Sequence, residues 1–248
     1  RGDGGGQVAQ ARPHPGQDYR AGMVLVPRDA VTQVAEAFLG EEAPDGRRRL
    51  AGALAWEALR VEAGRPRWAR EVDERAIPHE LDWLRTAVHL TKGCYPGQET
   101  VARTLNLGRP PRRLTILQLD GLAGRLPAPG AVVRLGERAV GTVTSVTRHH
   151  DYGPMALALL RRGVPADAAL TADITDAVGI ADAAEGSESS DAAEDPEGPA
   201  GDDAWSRRGA AAIARVDAVQ EPLVSPEGKA QASPAQRPGA GLRRSLLH

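Results

Sequence analysis

The sequence predicts an α+β protein: a mixed helix–strand segment, then a small C-terminal β-barrel, then a disordered tail. Three observations predict it. Helical and strand patterns alternate over residues 21–107. From Leu114 onward, short alternating runs recur at regular spacing with turn residues between them, as the strands of a small barrel do. Past residue 181 the composition turns acidic and the apolar periodicity stops.

The elements follow in chain order. Residues 1–20 are rich in Gly, Gln, Arg and Pro and read as a flexible linker or insertion. Met23-Val24-Leu25-Val26, stopped by Pro27, reads as a strand. Val31, Val34, Ala35, Phe38 and Leu39 fit one face of a helix, with Asp29 placed to cap it. Residues 40–49 form a loop. Over residues 54–63 the alternation of Leu59, Val61 and Ala63 with Arg60 and Glu62 predicts a strand, ended by Gly64 and Pro66. Ile77-Pro78-His79-Glu80 leads into a helix with Leu81, Leu84 and Val88 at helical spacing. Gly108 to Arg113 reads as a hinge. The barrel domain spans 108–181, with strands near 114–119, 131–135, 139–146 and 155–160. Residues 182–203 carry nine acidic side chains and no basic one, which predicts disorder in a tail running from 182 to 248. Within that tail, 205–219 is the one stretch with weak helical character.

Composition narrows the function. The net charge of −2 supplies no global basic field for nucleic acid or anionic lipid. No apolar run reaches the roughly 18–20 residues of a membrane-spanning helix, and no signal segment opens the chain. One cysteine excludes an internal disulfide framework and fits a reducing, cytoplasmic setting. The chain opens on Arg1, as a piece of a longer polypeptide would.

The chemistry concentrates in Lys92-Gly93-Cys94-Tyr95-Pro96-Gly97-Gln98-Glu99. Pro96 suits the first position of a helix, and Glu99 then falls in its first turn. Cys94 would sit just ahead of that helix, two residues from Lys92, and both neighbours favour thiolate. The alternative is a small buried hydrophobe, the commoner fate of a lone cysteine. His79 and His89 lack metal-ligand spacing with Cys94. His149 and His150 are adjacent, so on a strand they would point to opposite faces as surface residues, and no metal site is expected. Arg109, Arg112 and Arg113 form either a basic patch for an anionic group or a hinge held by surface arginines.

The octapeptide resembles the signature of the YgfZ family, Lys-Gly-Cys-(Tyr/Phe)-x-Gly-Gln-Glu, at every specified position. The segments Ala55-Trp56-Glu57-Ala58-Leu59-Arg60-Val61-Glu62-Ala63-Gly64, Ile77-Pro78-His79-Glu80 and Asn106-Leu107-Gly108-Arg109-Pro110-Pro111-Arg112-Arg113 are similar to that family as well. The first is also similar to the Leu-Arg-Leu-Glu-Ala-Gly segment of the glycine-cleavage T-protein. The resemblance covers roughly residues 23–170. It implies part of a T-protein-like folate-binding domain followed by a β-barrel, with tetrahydrofolate or a reduced derivative as cofactor. The N-terminal half of that domain, with the T-protein's catalytic aspartate, is not in this sequence.

The resemblance makes Cys94 and Lys92 the candidate catalytic pair. Glu62, Arg60, Tyr95, Gln98 and Glu99 become the candidate cofactor-binding residues. Glu62 has a chemical reason beside the resemblance: a carboxylate accepts the adjacent amine and ring N–H of a pterin edge at once. The alternative is a solvated strand face paired with Arg60. The implied role is that of a folate-binding accessory to iron–sulfur cluster assembly or repair. Its partners would be iron–sulfur enzymes or assembly factors; the protein is expected to act as a monomer, with no membrane and no direct nucleic-acid contact. Cys94 alone cannot hold a cluster, which takes about four ligands. The alternatives are a folate-dependent aminomethyltransferase and a factor in tRNA modification.

Overall fold

The computed structural model describes residues 13–40, 42–43, 46–88, 93–107, 110–175 and 212–224. Its helices are α1 (Val31–Gly40), α2 (Ala53–Glu62), α3 (Trp83–Thr86) and α4 (Gln98–Leu107). A two-residue ladder, β1 (Glu42–Ala43) with β2 (Gly46–Arg47), sits in the loop after α1. Six strands then build a closed antiparallel barrel: β3 (Arg112–Leu119), β4 (Val132–Leu135), β5 (Arg138–His149), β6 (Gly153–Arg161), β7 (Leu170–Ile174) and β8 (Ala214–Pro222). The order around the barrel is β3-β6-β5-β4-β7-β8. No helix among the described residues is long and apolar enough to cross a membrane.

The lumen of a six-stranded barrel is narrow, and small inward residues fill it. Ala156, Ala158, Ala172 and Ala218 pack there with Leu117, Val133, Val143, Leu160 and Leu170. β3 and β6 are buried on both faces. Their other face carries Leu114, Ile116, Met155, Leu157 and Leu159, which pack outward against Val61, Leu81 and Leu223. The helical segment therefore docks on the outside of the barrel, with α2 lying against β5 and β6. This double burial explains the unbroken apolar run Met155-Ala156-Leu157-Ala158-Leu159-Leu160.

Four sequence expectations are corrected. Residues 54–63 form the helix α2, not a strand. Ala58 and Val61, three apart, are its buried apolar positions, and the Ala, Leu, Glu and Arg that dominate it are strong helix formers. The alternation over 59–63 was too short to decide between the two periods. Residues 23–26 lie outside any strand, with Met23, Val24 and Leu25 exposed. Pro27, not Asp29, stands at the N-cap of the 3-10 turn Arg28–Ala30 that leads into α1. The helix from 78 is split: a 3-10 turn, Pro78–Leu81, is separated from α3 by Asp82 in the left-handed region at φ 59°.

The largest correction concerns the tail. Residues 214–222 are neither helical nor disordered; they are β8, the strand that closes the barrel between β7 and β3. Val216, Ala218 and Gln220 point inward and Arg215, Asp217 and Val219 outward, the period-two pattern of a half-buried strand. The other expectations for 182–211 and 225–248 lie outside the described residues, as does the linker up to residue 12.

Arg112 and Arg113 are not surface or hinge residues. Arg112 donates to Asp73 (2.6 and 3.0 Å) and Glu80 (3.1 and 2.8 Å), fastening the helical segment to the start of β3. Arg113 is fully buried and donates to Thr115 Oγ1, the Val164 carbonyl and Gln220 Oε1. Burial without a carboxylate partner pushes its pKa down to about 10. Arg109 lies outside the described residues.

Candidate functional site

Cys94 lies in the turn before α4 and is exposed. The turn depends on Gly97, whose φ of 81° is strained for any residue with a side chain. The helix begins at Gln98, two residues later than a Pro96 start, so Cys94 stands four positions ahead of it and the helix dipole bears on the sulfur less directly. Gln98 opens α4, with its N–H donating to the Tyr95 carbonyl at 3.2 Å; Tyr95 is half-buried, and Glu99 lies exposed in the first turn. Lys92 and His89 lie outside the described residues. His79 is buried in the 3-10 turn that α4 packs against, and burial lowers its pKa to about 4. Exposure of Cys94 carries a prediction: a maleimide should label the native chain as fast as a small thiol of equal pKa. Labelling that requires denaturant would restore the reading of a buried cysteine.

Glu62 ends α2. Its carboxylate is 38% exposed, and Oε2 lies 3.2 Å from His149 Nε2 on the barrel. Among the described residues it makes no other hydrogen bond or ion pair. Glu62 thus presents an open carboxylate oxygen, which fits an N–H-rich heterocycle edge. Gly64, at φ 59°, follows it because a Cβ there would fall 2.8 Å from Leu223 in the segment after β8.

Arg60 does not fit that role. All five of its N–H donors are engaged: two by Glu57, and one each by the Arg65 carbonyl, Glu71 and Ser145. It is 5% exposed and ties α2 to β5. The same contact holds the Glu57 carboxyl below its usual range through the Arg60 hydrogen bond. No hydrogen bond or ion pair joins Cys94 to Glu62 or Arg60 among the described residues. A cleft of about 540 Å³ opens elsewhere, beside His14, Arg65, Trp83 and Arg85.

His149 was the residue missed. It is 4% exposed and its ring stacks on Tyr152 at 4.9 Å. His149 and His150 do not point to opposite faces, because β5 ends at His149 and the chain turns; their ring centroids are 4.3 Å apart. With Asp151 they bring three potential ligand atoms within 4.8 Å of one another. Both His149 nitrogens are already in hydrogen bonds, however: Nε2 to Glu62, and Nδ1 to the Asp151 and Tyr152 N–H groups.

Residues 112–183 match the CAF17 C-terminal β-barrel domain family. The chain is similar to the tRNA-modifying protein YgfZ of Edwardsiella ictaluri, 38% identical over 129 residues that make up 50% of this chain and 38% of that protein. The YgfZ of Yersinia pestis is 34% identical over 145 residues, 56% of this chain and 43% of that protein. A chloroplastic protein of Arabidopsis thaliana named as a transferase is 36% identical over 96 residues, 39% of this chain and 21% of that protein. The chain spans less than half the length of these relatives. The barrel thus matches the CAF17 C-terminal domain family, and the barrel with the segments that lead into it is similar to YgfZ-type proteins.

Proposed function

We propose that the protein is a cytoplasmic folate-binding accessory factor that assists the assembly or repair of iron–sulfur clusters in client enzymes. The observation that carries this is Glu62: a half-exposed carboxylate, oriented from one side and open on the other, in the segment that resembles the T-protein's folate-binding region. The exposed Cys94 in the family signature supplies the functional thiol. Lys92, Tyr95, Gln98 and Glu99 would frame that thiol or the cofactor, and Arg60 would stabilise the segment rather than touch the ligand. Reduced folate would supply one-carbon or redox chemistry when bound. Glu62 would hold the pterin edge, and Cys94 would act as a redox thiol or a single ligand to a shared cluster.

Folinate, a stable reduced folate, is the probe. It is titrated calorimetrically into the chain alone and into the chain joined behind the N-terminal portion of the Edwardsiella ictaluri relative, which supplies the length the chain does not span. Binding is expected, and Glu62→Ala should weaken it by about 1–3 kcal/mol, the loss of a charged hydrogen bond. Unchanged affinity would remove Glu62 from the site. For the thiol, Cys94→Ser should fold normally yet fail to restore iron–sulfur enzyme activity in bacteria lacking their own YgfZ. Full rescue would make the thiol dispensable.

The Arabidopsis relative is named as a transferase, which favours a second reading, an enzyme; with the T-protein resemblance that enzyme would be a folate-dependent aminomethyltransferase. Conversion of tetrahydrofolate and an added aminomethyl donor to methylene-tetrahydrofolate, with release of ammonia and undiminished by Cys94→Ser, would support it. A role in tRNA modification, named for the YgfZ relatives, would follow indirectly if the client iron–sulfur enzymes modify tRNA.

A further inference from the structure

We infer that His149 is the positioning residue for Glu62, fixing from the barrel side the carboxylate that receives the ligand; this rests on the folate reading of Glu62. The argument begins at the β5–β6 hairpin, where His149 stands opposite Gly153 in the ladder. The His149 Nδ1 accepts the backbone N–H groups of Asp151 (3.2 Å) and Tyr152 (3.3 Å). A backbone N–H can only donate, so Nδ1 must carry the lone pair and Nε2 the proton. That Nε2–H is directed to Glu62 Oε2 at 3.2 Å.

The ring is held as firmly as its proton. Its side chain is 1% exposed, and the Tyr152 ring at 4.9 Å and the His150 ring at 4.3 Å pack on it. The chain of contacts therefore runs from the hairpin backbone through a buried imidazole, hydrogen-bonded at both nitrogens, to a carboxylate at the end of a helix. The restraint acts on one oxygen of Glu62 and leaves the other without a partner among the described residues. A ligand edge with two adjacent N–H donors needs both oxygens in a fixed plane, and a glutamate at a helix end has three rotatable bonds with which to lose it. Fixing that plane before the ligand arrives removes an ordering cost from binding. A histidine serving only to tie α2 to the barrel would be indifferent to what the open oxygen meets.

Two variants separate positioning from packing. His149→Phe keeps a flat ring but removes the Nε2–H. His149→Gln keeps an N–H donor that can reach Glu62. Folinate affinity is measured for the full chain, alone and joined as above, with thermal unfolding in parallel. Nitrogen-15 NMR of the imidazole reports the tautomer in the wild type. The expected result is about a tenfold loss of affinity in His149→Phe at an unchanged unfolding midpoint, with His149→Gln within about twofold of wild type; a tenfold change corresponds to about 1.4 kcal/mol. Equal affinity in His149→Phe overturns the inference, as does a wild-type ring protonated on Nδ1 alone while folinate still binds. If the wild type shows the Nε2–H tautomer and binds no folinate in either form, the folate reading fails and the ligand role of His149 falls with it.

Discussion

Ending the chain at residue 211 is expected to abolish the cooperative unfolding of the barrel. β8 pairs with β3 from Leu119↔Ala218 to Thr115↔Pro222 and with β7 from Leu170↔Ala218 to Ile174↔Ala214, so its loss opens two edges at once. It also withdraws Val216 and Ala218 from the lumen and Leu223 from the outer cluster. Val216 and Leu223 contribute up to about 1.5–3 kcal/mol each and Ala218 less, and a typical domain has about 5–15 kcal/mol in all. Gln220 goes too, leaving the fully buried Arg113 guanidinium without one of its acceptors.

The control is the converse deletion. Ile213 N–H donates to the Ile174 carbonyl at 2.9 Å, so the chain leaves β7 and re-enters β8 at one point. Replacing residues 176–211 by an Asn-Gly turn should leave the midpoint within a few degrees, because the two strands already meet as a hairpin does. Calorimetry of the two deletions decides the matter. A truncated chain that still unfolds cooperatively near the wild-type midpoint would show that β8 is an accessory strand.

The contrast between those deletions marks where the sequence was legible. The strands from 114 to 160 were readable because turn residues bound each apolar run. β8 alternates in burial but not in polarity, since Val219 faces outward and Gln220 inward; it also follows an acidic run that has no core pattern, and its alanines suit a helix equally well. For α2 the error ran the other way: Arg60 and Glu62 alternate with Leu59 and Val61, yet Arg60 is buried among carboxylates rather than exposed on a polar strand face. The signature turn around Cys94 was legible since its residues are consecutive. His149 was not, because its partner lies 87 positions away and nothing local distinguishes a ligand-positioning histidine from a surface one. Arg112 and Arg113 misled for the same reason: two consecutive arginines after Pro110-Pro111 look like a hinge until Asp73, Glu80 and Gln220 arrive from elsewhere.

Substituting Glu71 should do more damage than any other single side-chain change at the junction between helices and barrel. Glu71 is fully buried in the loop after α2. Its carboxylate accepts from the Arg67 N–H (2.8 Å), Arg60 (3.2 Å), Thr144 Oγ1 (2.8 Å) and Ser145 Oγ (2.6 Å). Thr144 and Ser145 are neighbours on β5 and would face opposite sides of a regular strand. The ladder register shifts between Val143 and Ser145, and this irregularity turns both hydroxyls toward the same carboxylate. Glu71→Ala removes the anion and leaves Arg60 as a buried cation with one fewer counter-charge. Breaking a buried pair from one side costs about 3–5 kcal/mol, and urea unfolding followed by tryptophan fluorescence should read that loss. Replacing both partners, Arg60→Met with Glu71→Met, should be milder than Glu71→Ala alone, because the carboxylate it leaves, Glu57, is part-exposed and keeps Arg67 at 3.4 Å. If Glu71→Ala unfolds within about 1 kcal/mol of wild type, the helical segment is held to the barrel by the apolar cluster of Val61, Leu81 and Leu114 instead, and the ionic network contributes only its geometry.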